Sequence, residues 1–116
     1  LVHMVLTGYS NLFERTSFKN GVIQFCENNN ITFIAHSPVG GHYQHSQRGD
    51  NFLLKKLAKK YAASTYQIMI AWLLYKSRSI FPIPGASKTS SIKDSIQAVN
   101  VKLSKEDMQS LEANIN

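Results

Sequence analysis

Ile31-Thr32-Phe33-Ile34-Ala35 constrains the fold more than any other stretch, because it does not alternate. Thr32 apart, both faces of a strand built from it are apolar. A strand with one wet face alternates, whereas a uniformly apolar one suits a parallel sheet covered on both sides. Ile80-Phe81-Pro82-Ile83 is a second such run, stopped by Pro84-Gly85, which ends pairing and turns the backbone. Val2 to Thr7 reads as a further strand, with Gly8-Tyr9-Ser10-Asn11 as its exit.

Helical patterns separate these runs. Ser17 is placed to cap a helix with Phe18, Val22, Phe25 and Cys26 on one face, ending at Asn28-Asn29-Asn30. Asp50 can cap a Lys-rich helix from Asn51 to Ala62. Ser64 and Gln67 form a capping box, opening a helix through Lys76 whose inner face is Ile68, Ala71, Trp72 and Tyr75. Ile92, Ile96 and Val99 are spaced for a helix from about Ser91 to Val99. Ser104 and Asp107 make another box, before a helix from Lys105 to Ala113 that buries Met108, Leu111 and Ile115. Strands alternating with helices imply a parallel sheet with right-handed crossovers.

The 116 residues are expected to form one domain, 1–116, with one core. The net charge of +6 favours anionic partners, but the cations are scattered. Their one dense cluster, Lys55, Lys56, Lys59 and Lys60, lies opposite Leu53, Leu54, Leu57 and Tyr61, as on a solvated helix face. No recognition helix, zinc finger or RNA-binding signature accompanies it, so nucleic acid is the weaker reading. The longest apolar run, Ile68 to Tyr75, is too short to span a bilayer, and no membrane partner is expected. Leu1 to Leu6 shows no signal-peptide pattern. The start on Leu1 rather than Met leaves both a fragment and a processed product open. Cys26 is the only cysteine; it excludes an internal disulfide and fits a reducing cytoplasm. Its helix-face spacing points to a buried, inert thiol. His42 and His45 share a loop with Gln44 and Gln47, but no third ligand pattern supports a metal site.

Ile80 to Lys88, followed by Thr89, Ser90 and Ser91, is a strand, a tight turn and a hydroxyl-rich helix start. Free N–H groups and the positive end of the helix dipole favour a phosphate there, and Lys88 adds a point charge. The same residues also read as a well-capped junction and nothing more. Gly40 to Gly49 is a long polar loop, and such loops tend to carry function.

Several segments, in order, resemble the aldo-keto reductase family. They are Ser10-Asn11-Leu12-Phe13-Glu14-Arg15, the helix from Gly21-Val22 to Asn30-Ile31, and Phe33-Ile34-Ala35-His36-Ser37-Pro38-Val39-Gly40. Leu57-Ala58-Lys59-Lys60-Tyr61, Gln67 to Leu74, Ile83-Pro84-Gly85-Ala86-Ser87-Lys88 and Leu103-Ser104-Lys105-Glu106-Asp107 follow. The resemblance is to the last three βα units of that family's barrel. It implies an α/β fold, a partial (βα)8 TIM barrel of about three parallel strands with covering helices. It also implies NADPH as cofactor, with NADH as the alternative, and interconversion of carbonyls and alcohols.

In that family a Tyr assisted by Lys, His and Asp protonates the carbonyl oxygen, from the first four strands. This chain resembles none of those strands. Tyr9, Tyr43, Tyr61, Tyr66 and Tyr75 do not sit in the catalytic motif, so no catalytic residue is assigned. The cofactor residues carry over by position. His36 stands where many relatives place a ring near the nicotinamide. Ser37, Val39 and Gly40 match the pyrophosphate loop. Gly85, Ala86, Ser87 and Lys88 match the adenosine-phosphate loop, with Lys88 for the 2′-phosphate. Ser91 replaces an Arg that some relatives use there, and Asp94-Ser95 replaces an adenine-contacting Glu-Asn.

Three strands cannot close a barrel, and they leave two open edges and an apolar face. A homo-oligomer, or a partner carrying the missing N-terminal barrel half, is therefore expected. Three functions are carried forward. The chain is the cofactor-gripping part of an NADP-dependent oxidoreductase, or an inactive nucleotide-binding remnant, or an oligomeric interaction module without cofactor.

Overall fold

The computed structural model describes residues 4–9, 12, 14–36, 51–83, 93 and 96–114. Three strands, β1 (Val5–Tyr9), β2 (Thr32–His36) and β3 (Ile80–Ile83), lie in that order in one sheet. Both pairings are parallel. Among the described residues, five helices and a 3-10 turn are interleaved with them: α1 (Thr16–Lys19), α2 (Val22–Asn28), α3 (Phe52–Lys60), α4 (Thr65–Lys76), the turn Gln97–Asn100, and α5 (Lys105–Asn114). The expected α/β architecture of parallel strands with covering helices is present.

Register partners share a face of a parallel sheet, so the rows sort the two faces. Leu6, Phe33 and Ile80 form one row, and Gly8, Ala35 and Pro82 another. Phe33, Ala35 and Ile80 are buried, so this face lies under the helices. Val5 and Thr32 lie on the opposite face, as do Thr7, Ile34 and Phe81. There Val5 is 45% and Phe81 62% exposed. The sheet thus has one covered and one open apolar face.

β1 begins later than expected and runs through Gly8 to Tyr9 instead of ending at Thr7. Gly8 does not break the strand; it admits a ring. A Cβ there would lie 3.0 Å from Cζ of Phe33, one of the largest fully buried side chains. The expected single helix over Ser17 to Asn28 is two helices. Gly21 takes φ 88, a left-handed turn that parts α1 from α2. Ser17 lies inside α1, and the Glu14 carboxylate accepts from the Thr16 N–H (3.0 Å) and hydroxyl. Cys26 is fully buried as expected, but Phe25 is exposed.

α3 starts on Asn51, whose side-chain oxygen accepts from the N–H groups of Leu53 (3.0 Å) and Leu54 (3.2 Å). Asn51 therefore occupies the capping role expected of Asp50, a residue outside those described. The Ser64–Gln67 box forms as expected, with bonds of 3.1 and 3.0 Å. α4 is buried without interruption from Gln67 to Leu73 rather than along one stripe, while Tyr75 is exposed. α3, β3 and the 3-10 turn all pack on it, so every side of it meets protein. Ile96 and Val99 point outward and Ala98 inward. The tighter 3-10 winding rotates this segment's face away from the α-helical expectation. Ile92 and Ile115 lie outside the described residues.

α5 is held by two polar clusters. Ser104 accepts from the Asp107 N–H at 3.0 Å, half of the expected box. The Asp107 carboxylate turns instead to α3, accepting from Lys60 (2.7 Å) and from the Tyr61 hydroxyl. Tyr61 also accepts from the Ser104 N–H at 2.9 Å. One turn from the end of α5, Glu112 accepts from Trp72 Nε1 (3.2 Å) and pairs with Lys76 (2.9 Å). Arg15 donates to the Glu112 carbonyl at 3.2 Å. Trp72, Phe33, Leu12, Leu54, Ile68 and Leu111 are the large side chains of the core beneath.

Gly8→Ala should lower unfolding stability by about 1–3 kcal/mol in urea, because the new Cβ would press on the buried Phe33 ring. Tyr61→Phe should cost about 1 kcal/mol, leaving Asp107 one donor short. The hydrogen bonds from Lys60 and then Tyr61 hold the Asp107 carboxyl below its ordinary pKa, against the effect of burial. Its stabilisation is complete above the unfolded carboxylate pKa of about 4 and is lost as pH falls through the lower folded value. The stability gap between wild type and Asp107→Asn should therefore be flat near neutral pH and shrink below about pH 4.

Candidate functional site

Parallel strands all end on the same side. Here Tyr9, His36 and Ile83 are register partners, so the three carboxyl ends form one row. Neighbouring strands lie about 4.8 Å apart, which puts the whole row within about 10 Å. His36 closes β2 and Ile83 closes β3, so these two strand ends are neighbours in the row. Ligands of parallel α/β sheets and barrels bind at this end, on the loops that leave the strands.

The sequence expectations map onto this row as follows. His36 is the last residue of β2, between Tyr9 and Ile83. β3 runs from Ile80 to Ile83, and the Pro84-Gly85 expected to end it lies outside the described residues. Ser37, Val39, Gly40, Gly85, Ala86, Ser87, Lys88, Ser91, Asp94 and Ser95 lie outside the described residues, as do His42 and His45. Tyr9 was not expected in the row, since Gly8 read as an exit. The β-prone tyrosine after it was the available signal.

Chemistry elsewhere in the described residues is structural. Burial, and then the charge of Glu27, push the Cys26 thiol pKa up, which keeps it protonated and unreactive. Lys60, Tyr61 and Asp107 satisfy one another between α3 and α5, in the helix layer. No group of three or more metal-ligating side chains occurs among the described residues. No helix there is long and apolar enough to cross a membrane. A cavity of about 250 Å³ opens between α4 and the 3-10 turn, lined by Tyr75, Ala98, Val99 and Lys102 among others. It holds no carboxylate or imidazole, so it offers no acid–base pair.

Comparison with known proteins agrees with this architecture. An uncharacterized oxidoreductase of Schizosaccharomyces pombe is 32% identical over 97 residues, which cover 83% of this chain and 31% of that protein. An NADP-dependent D-sorbitol-6-phosphate dehydrogenase of Malus domestica is 29% identical over 97 residues, 78% of this chain and 31% of that protein. A crystal structure of a thermostable aldo-keto reductase, in complex with the inhibitor epalrestat, superposes with a TM-score of 0.79 at 31% identity. The match covers 94% of this chain and 39% of that one. The chain thus spans about a third of the length of these curated relatives. Its strands and helices are a part of the TIM barrel seen in such structures. The sequence pattern of the Aldo/keto reductase family matches residues 2–116, and the chain belongs to that family.

Proposed function

We propose that this chain supplies the cofactor-gripping part of an NADP(H)-dependent oxidoreductase that interconverts carbonyls and alcohols. One observation carries the reading: the ends of β2 and β3 are adjacent, so the two phosphate-suited segments leave the sheet side by side. The NADP-dependent dehydrogenase among its relatives supports the same cofactor.

The donor set fits a dinucleotide phosphate. Gly85, Ala86 and Ser87 are small, and Lys88 carries the charge a 2′-phosphate needs. Ser37, Val39 and Gly40 serve the pyrophosphate, and His36 the nicotinamide end. Ser91 adds a hydroxyl, while Asp94 and Ser95 are assigned to the adenine. The bound cofactor would supply or accept the hydride at the carbonyl carbon. No residue of this chain is assigned the proton. Turnover therefore belongs to the chain together with further barrel strands.

The open face and free edges of the sheet favour association, with a second copy or with a chain carrying the N-terminal barrel half. Residues 1–116 act as one domain in this reading, and the single buried thiol suits the cytoplasm.

Titration of the purified chain with NADPH, followed by cofactor fluorescence, tests the proposal. Saturable binding is expected, tighter for NADPH than for NADH. Lys88→Ala should weaken NADPH by roughly tenfold and NADH much less, since only NADPH carries the 2′-phosphate. No saturation at millimolar NADPH would overturn the cofactor reading for the isolated chain. Equal losses for both cofactors would remove Lys88 from the 2′-phosphate.

A further inference from the structure

α3 turns a stripe of one aromatic ring and three lysines to the outside. Leu54, Leu57 and Ala58 are its buried side chains, and it packs on α4 and α5. At about 100° of turn per residue, Phe52, Lys55, Lys56 and Lys59 fall within about 100° of arc, opposite Leu54. All four are exposed. The stripe is about 10 Å long, and α3 contains no carboxylate.

This exposure does not come from the open sheet. α4 packs on β3 with one side and on α3 with another. Further barrel strands would join at the sheet, across α4 from the stripe.

Lysines alone would make an ordinary solvated face. Phe52 does not fit that description. It is 82% exposed, the most exposed large apolar side chain among the described residues, and it lies in line with the cations. Lys60, one step round the helix, is already paired with Asp107 at 2.7 Å, and Glu106 adds a second negative charge there. Lys56 and Lys59 take no part in that cluster.

The shape of the face narrows the partner. It is the convex flank of a helix, and the cavity described above lies elsewhere, between α4 and the 3-10 turn. A peptide or a nucleic-acid strand binds along a groove. A membrane surface needs only a protruding basic face and an apolar side chain to insert. Spanning a bilayer takes about 20 apolar residues, but resting on one does not. We propose that the outer face of α3 docks on an anionic phospholipid surface, with Lys56 and Lys59 among the headgroups and Phe52 inserted beneath them.

Vesicle sedimentation of the purified chain, without nucleotide, tests it. One set of vesicles is phosphatidylcholine alone, and the other adds phosphatidylserine. Binding only to the mixed vesicles is expected, weakening as salt rises. Lys56→Glu with Lys59→Glu should lower the partition coefficient by roughly thirtyfold or more. Lys19→Glu with Arg78→Glu makes the same change in net charge at exposed positions off α3, and should lower it only a few-fold. Phe52→Ala should lower it roughly fivefold, at low and high salt alike. Circular dichroism checks that each variant is folded, and Lys56→Gln with Lys59→Gln replaces the reversal if that pair is not.

No binding to the mixed vesicles overturns the proposal, as does equal binding to the neutral ones. Equal losses in the two charge-reversed pairs reduce the effect to net charge and overturn it too. A Phe52→Ala variant that binds as tightly as wild type refutes insertion, and with it the choice of a membrane. Tighter capture of single-stranded DNA or of an acidic peptide by the same lysines gives the face to that partner instead. None of these outcomes bears on the NADPH titration, which uses neither α3 nor a vesicle.

Discussion

β2 is bonded on both sides, and the rest of the chain is arranged around that fact. Its alternate residues donate one way to β1 and the other way to β3, which fixes both parallel registers. Those registers set Phe33 and Ala35 under the helices, and a one-residue slip would turn them to the open face. The same registers bring Tyr9, His36 and Ile83 level, so three strand ends meet at neighbouring points. The position of the candidate site is thus a consequence of strand pairing.

The helix layer shows how a covering helix becomes a core helix. α4 has no wet side from Gln67 to Leu73, because α3, β3 and the 3-10 turn surround it. Its polar ends are handled locally, by the Ser64–Gln67 box at one end and Lys76 with Glu112 at the other. α5 has little apolar surface of its own beyond Leu111 and half-buried Met108. Its two acidic anchors, Asp107 and Glu112, therefore matter to its docking. Both reach across to other helices, so each joins segments distant in sequence.

Sequence patterns revealed those parts of this fold that depend on nearby residues. The strand at Ile31 and the Ser64 box are local signals, and the structure bears them out within a residue or two. Gly8 misled, because a glycine that makes room for a ring looks like one that turns a chain. Apolar periodicity alone runs a helix through Gly21, whose left-handed φ divides it. The one-sided face expected of α4 failed for a different reason: periodicity cannot register neighbours supplied by the tertiary fold. At the site, the sequence indicated which segments to join, and strand register showed that they start from adjacent points.

Trp72 is the chain's single tryptophan, and its surroundings make it a natural optical probe. The indole is fully buried, meets Phe18 edge-on at 5.4 Å, lies under the Lys76 ammonium and donates to Glu112. Every one of these neighbours is in the helix layer, and Glu112 comes from α5. Ultraviolet emission from this protein is therefore a gauge of whether the C-terminal helix is seated.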